Sequence, residues 1–145
     1  MSEKSDVRAW WRDNPMTYGA VHGATEYADV KHQLGTKEFF KRLDREFYAW
    51  NHPLHDDRPF DRLFPYQACG KGAKVLEIGC GLGTMSMNWA RNGADVTAVD
   101  LNPTSLEQTR KRFELFGLDG KIELMAGRQL DFAAAALDSV NRWSV

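Results

Sequence analysis

The sequence predicts an α/β fold, the N-terminal part of a doubly wound parallel sheet preceded by an aromatic-rich helical segment. Three observations point there. From Lys71 onward, short β-branched apolar runs alternate with stretches of helical periodicity. The first strand-to-helix turn carries Gly79, Gly81 and Gly83. Before it, 12 of the 17 aromatic residues and all four histidines lie between Trp10 and Tyr66. That shift divides the chain into a helical lid segment, 1–70, and a core, 71–145.

Taken in order, Lys37–Trp50 reads as an amphipathic helix. Phe39, Phe40, Leu43, Phe47 and Trp50 recur at three- and four-residue steps, with Lys41, Arg42, Asp44 and Arg45 expected to face out. Thr36 is its N-cap. Prolines 53, 59 and 65 make 51–72 an extended connector. Lys74–Ile78 is a buried parallel strand. Leu82–Arg91 forms a short helix closed by Gly93. Asp95–Val99 is the second strand. Asn102 then caps a helix that Pro103 starts and Gly117 stops, with Leu106, Phe113 and Phe116 on one face. Lys121–Met125 and Ser139–Val145 are the third and fourth strands.

Composition removes several classes of function. The chain has 145 residues, 43% hydrophobic and 27% charged, with net charge −1. This is a globular balance with room for one core. It carries no basic footprint for nucleic acid. No apolar run reaches the ~18 residues of a membrane span, and Met1–Arg8 is too charged for a signal peptide. Two cysteines, Cys69 and Cys80, suit a reducing cytoplasm.

The chemistry concentrates in Glu77-Ile78-Gly79-Cys80-Gly81-Leu82-Gly83 and in Asp100, which ends the following strand. Glycines allow a tight turn and close approach of backbone to ligand, and the helix beyond presents free amides. A carboxylate at the end of the neighbouring strand can accept both hydroxyls of a ribose. A dinucleotide fingerprint wants glycine at the sixth place, where Thr84 stands. Glu77 would also repel a pyrophosphate, whereas it would attract an amine. An adenosine nucleoside carrying an amino acid fits better.

VLEIGCGLGT followed by VTAVDLNP resembles the first two cofactor motifs of class I S-adenosylmethionine-dependent methyltransferases, and WWRDNPMTY, FFKRLDREFYAWN and RLFPY resemble one bacterial subgroup. The resemblance implies a Rossmann-like fold, S-adenosylmethionine as cofactor and methyl transfer to a small-molecule acceptor. It implies that Glu77, Gly79, Gly81 and Gly83 shape the methionine pocket, with Cys80 lying within that loop. Asp100 would bind the ribose and Leu101 would pack on the adenine. Tyr18 is a candidate cofactor or substrate contact, or else a packing tyrosine. Methyl transfer is an in-line displacement, so no catalytic base is assigned.

Two departures from that family stand out. Ala126 falls where an acid usually contacts the adenine amine. The family core has seven strands and these residues account for four, so the chain reads as an N-terminal portion, a fragment or a degenerate copy. Its fourth strand would then offer an exposed edge for self-association.

Other clusters carry less. His52-Pro53-Leu54-His55-Asp56-Asp57 lacks the regular helix that would align a metal site, and no metal is expected. Cys80 has a possible activated thiol as one reading and a small loop filler as the other. Trp10-Trp11 reads as packing, and Arg110-Lys111-Arg112 as a solvated face. Three functions remain: a methyltransferase, a non-catalytic cofactor-binding or structural remnant, and a nicotinamide-dependent oxidoreductase that Thr84 and Glu77 disfavour.

Overall fold

The computed structural model describes Ala9 and residues 34–50, 70–125 and 137–142. Tyr18, Trp10, Trp11, Cys69, the His52–Asp57 cluster and Ala126 lie outside the described residues.

Helix α1, Lys37–Trp50, begins where Thr36 Oγ1 accepts the Phe39 amide (3.2 Å), so the predicted cap is present. Strand β1 runs Lys74–Ile78, helix α2 Thr84–Arg91 and strand β2 Asp95–Asp100. Helix α3 spans Pro103–Phe116, strand β3 Lys121–Leu124 and strand β4 Ser139–Arg142. Asn102 Oδ1 caps α3 by accepting the amides of Thr104 (2.9 Å) and Ser105 (3.4 Å), and Gly117 ends it in the left-handed region. Helix α2 starts two residues later than its sequence suggests. Leu82 still belongs to the loop, and Gly83, at φ 74°, occupies the N-cap position.

All four strands are parallel, in the order β3-β2-β1-β4. The chain therefore builds outward from β1 on one side and returns to its other side with β4. The order reverses at β1, and ligands of such sheets bind outside the carboxyl ends of the strands at that point. Register brings the critical ends together. Ile78 of β1 faces Val99 of β2, and the Gly79 and Cys80 amides both donate to the Val99 carbonyl (2.8 and 3.1 Å).

The core has two parts. Val75, Cys80, Met85, Trp89, Val96, Ala98 and Leu106 pack together with Phe47 of α1. Phe39, Phe40 and Leu43 of α1 enclose Leu82, with Leu115 and Phe116 against them. Phe116 is only half-buried, and the Lys37 ammonium and the Arg91 guanidinium lie over its ring. Val75, Leu76 and Glu77 of β1 are buried in succession, so the strand is covered on both faces and its one acid lies inside the protein. The outer strands differ: Leu124 is 61% and Val140 57% exposed.

Two residues expected in solvent are not there. Arg112 of α3 is fully buried and Asp44 of α1 is only 16% exposed, and the two form an ion pair. Both lie on the buried stripes of their helices, Asp44 beside Phe40 and Phe47, Arg112 beside Thr109 and Phe113. A charge placed there must meet an opposite charge, because an unpaired one would carry a large desolvation cost.

Candidate cofactor-binding site

The loop from Gly79 to Gly83 crosses the carboxyl end of the sheet between β1 and α2. Gly79 (φ 76°), Gly81 (φ 53°) and Gly83 (φ 74°) all adopt left-handed backbone, so side chains are disfavoured throughout. Their surroundings are unlike. A Cβ built on Gly79 or Gly81 would meet nothing within 4 Å. One on Gly83 would stand 2.7 Å from Thr109 Cγ2. The first half of the loop is an open cradle and the second half is packed against α3.

Asp100 closes the other side. Its Oδ2 accepts the Gly81 amide (2.8 Å) and its Oδ1 the Asn102 amide (2.9 Å). One carboxylate thus sets the spacing between the glycine loop and the start of α3. A carboxylate offers about four acceptor sites, so two remain for hydroxyls of a ligand. Leu101 follows, half-buried, on the same rim.

Glu77 lies beneath the loop, fully enclosed, and accepts a hydrogen bond from the Ser86 hydroxyl of α2. Burial pushes its carboxyl up to about 7, aided by the negative Asp100 and opposed by the Ser86 bond and the positive Arg112. A group so poised gains a strong reason to ionise when a cation arrives nearby. Cys80 is buried and free, and desolvation drives its thiol well above the ordinary range, with Glu77 and Asp100 adding to the rise. That is the environment of a loop filler, because a reactive thiol needs a lowered value.

The residues fit a nucleoside that carries a cationic amino acid. Gly79 and Gly81 leave room for close backbone contact, Asp100 retains acceptors for a diol, and Glu77, enclosed beneath the loop, would supply negative charge once a nearby cation favours its ionised form. They fit a pyrophosphate poorly. Residues 79–83 include no basic side chain, and Glu77 and Asp100 place two acids beside them. Thr84, at the sixth place of the dinucleotide pattern, is buried and accepts from Arg112. Among the described residues no cluster of His, Cys, Asp or Glu could hold a metal ion, and no helix is long and apolar enough to cross a membrane.

Ser86 and Thr109 are not singled out by the sequence, and Arg112, expected on a solvated face, is instead buried here. Thr109 Oγ1 donates to the Gly81 carbonyl (2.9 Å), and Arg112 reaches the Leu82 carbonyl (3.0 Å). The available signal was position: Ser105, Thr109 and Arg112 recur at helical spacing along the face that carries Leu106 and Phe113.

Comparison with known proteins agrees with this geometry. Residues 75–144 match a family model described as a methyltransferase domain. The mitochondrial ubiquinone biosynthesis O-methyltransferase of Schizosaccharomyces pombe is 33% identical over 99 residues, 62% of this chain and 36% of that protein. The magnesium-protoporphyrin O-methyltransferase of Rhodobacter capsulatus is 36% identical over 69 residues, 48% of this chain and 30% of that protein. Among solved structures, a methyltransferase from Thiobacillus denitrificans in complex with S-adenosyl-L-homocysteine superposes with a TM-score of 0.50. It shares 26% identity and covers 56% of this chain and 34% of that one. The chain therefore spans about a third of the length of the curated relatives it matches.

Proposed function

We propose that this chain, whose residues 75–144 match a methyltransferase-domain model, binds S-adenosylmethionine at the glycine loop and serves methyl transfer to an oxygen of a small molecule. The observation that carries the binding half is the open cradle at Gly79 and Gly81 with Asp100 tied beside it. In this reading Glu77 faces the ammonium of the methionine part, Asp100 accepts the ribose hydroxyls and Leu101 packs on the adenine. Cys80 fills the turn without touching the reaction. The oxygen acceptor is supported by the two relatives, both named as O-methyltransferases, one of ubiquinone biosynthesis and one of magnesium-protoporphyrin.

Bound cofactor supplies an activated methyl group together with its own leaving group. What remains for the protein is to hold the cofactor in one pose, align an acceptor and exclude water. The glycine loop and Asp100 would serve the first of these tasks. Asp100 and the Val99 carbonyl fix the loop, and α2 begins directly beyond it. Tyr18, in the proposed 1–70 lid segment, is a further candidate contact for cofactor or substrate.

Calorimetric titration with S-adenosylmethionine, and separately with NAD, tests the reading. Saturable S-adenosylmethionine binding that weakens at least tenfold in Asp100→Ala is expected. Binding of NAD alone would overturn it. Cofactor binding without transfer is a second reading, favoured by the outer strands, where Leu124 and Val140 stand exposed instead of shaping a pocket. Methyl incorporation separates the two. Self-association through β4 and a cytoplasmic location belong to the same proposal. The first is supported by the exposure of Val140, and a monodisperse monomer in sedimentation would overturn it. The second is supported by the free, buried thiol of Cys80.

A further inference from the structure

Arg112 is the only arginine among the described residues that lies in the core, and each part of its guanidinium has a partner. Nη1 donates to the Leu82 carbonyl (3.0 Å) and to Thr84 Oγ1 (3.1 Å). Nη2 pairs with Asp44 of α1, Nε points at Met87 Sδ (3.2 Å), and the group lies over the Phe40 ring. One side chain of α3 thus joins α1 to the exit of the glycine loop and to the first turns of α2. A second tie runs in parallel: the Tyr48 hydroxyl of α1 donates to the Thr84 carbonyl (3.3 Å) and accepts from Asn88.

The arrangement is more than is needed to neutralise a buried charge. An ion pair with Asp44 alone would do that. The remaining donors are spent on Leu82 and Thr84, the two residues that flank Gly83, where the loop becomes a helix. A planar fork suits this role, since its donors leave in fixed directions.

We propose that Arg112 is a positioning residue for the cofactor loop, holding the Leu82–Thr84 exit against α1 so that the Gly79–Gly81 cradle and Glu77 keep their places. The proposal rests on the cofactor-binding reading above. It gives α1 a part in cofactor binding. Arg112 also acts on Glu77 through charge. The groups around that carboxyl are the Ser86 hydroxyl from α2, Asp100 from β2, Cys80 from the loop and Arg112 from α3. In register beside it lie the uncharged Ala98 of β2 and Asn141 of β4. Arg112 is the one cation of the set.

Two variants separate the parts. Arg112→Lys keeps the charge and loses the fork. The double variant Asp44→Asn with Arg112→Gln removes both charges and leaves a neutral pair able to hydrogen-bond, which protects folding. S-adenosylhomocysteine is titrated into each full-length chain from pH 6 to pH 9, with a thermal melt confirming the fold. Arg112→Lys is expected to bind roughly tenfold more weakly with an unchanged pH midpoint. The neutral pair is expected to move that midpoint toward higher pH, because Glu77 loses the cation that favours its ionised form. A role confined to stability would lower the melt and leave the midpoint in place, and that result would overturn the proposal. Hydrogen exchange without ligand supplies an independent readout. Faster exchange at Gly83–Met87 than in wild type, with β2 still protected, supports the positioning role, and unchanged exchange there overturns it. If the wild-type chain fails to bind S-adenosylhomocysteine, the cofactor reading falls, while the exchange result still decides what Arg112 does to the loop.

Discussion

The two halves of the glycine loop use the same residue for different ends. Gly79 and Gly81 face open space, whereas Gly83 backs onto Thr109. All three need left-handed backbone, so conformation alone does not distinguish them. The difference is in what lies where a side chain would stand. In the first half it is room, which a ligand can use. In the second it is the protein itself, and the absence of a Cβ lets α3 approach the loop closely enough for Thr109 to reach the Gly81 carbonyl. A glycine-rich loop is therefore partly a binding surface and partly a joint.

The sharpest test of that contrast is Gly83→Ala. A left-handed alanine colliding with a buried, hydrogen-bonded threonine combines backbone strain with overpacking, on the order of 4 kcal/mol. A large fall in the denaturation midpoint is expected, and a midpoint within experimental error of wild type would remove the distinction between the two halves.

Beneath the open half, Glu77 adds a pH dependence of opposite sign to the usual carboxylate. Its value lies near 4.5 in the unfolded chain and about 7 in the fold, so the folded state holds the proton more tightly. Below pH 4.5 both states are protonated and no penalty exists. As pH rises from 4.5 to 7 the unfolded state releases its proton first, and stability falls by on the order of 3 kcal/mol. Glu77→Gln should flatten this slope, raise the melting temperature at pH 8 and weaken S-adenosylmethionine binding. A pH-stability profile identical in variant and wild type would refute the assignment.

The smallest change in stability is expected for Gly81→Ala. Strain of about 1–2 kcal/mol remains, with no steric clash added. Its effect should instead appear in calorimetry as a loss of cofactor affinity, the added methyl group occupying the cradle. Equal affinity would mean that the open space at Gly81 is not where ligand lies.

Much of this organisation could be read from the chain because it is set locally. Helix α1 and strand β1 have the bounds that periodicity assigned, and the caps at Thr36, Asn102 and Gly117 are written in single residues. Glu77 and Asp100 stand out because strand ends fix their places. What was hidden is held by tertiary contact. The start of α2 shifts to Thr84 because the loop claims Leu82 and Gly83. Asp44 and Arg112 read as surface charges because each is solvated in isolation, and only their meeting across α1 and α3, 68 residues apart, explains their burial. Whether Gly81 faces space and Gly83 faces Thr109 depends likewise on how α3 docks.

The order of the strands also governs how the protein can come into being. Lys74 of β1 finds its first partner at Asp95, but on the other flank it must wait for Asp138, 64 residues downstream. At ordinary rates of synthesis those residues take roughly 3 to 13 seconds to emerge. During that interval the central strand, which carries Glu77 and leads into the loop, has one edge without its partner. A nascent chain in that state offers a β edge to chaperones or to neighbouring chains, and closing the loop between β1 and β4 is an entropically late step. The strand that anchors the site is thus started early and completed only when β4 arrives.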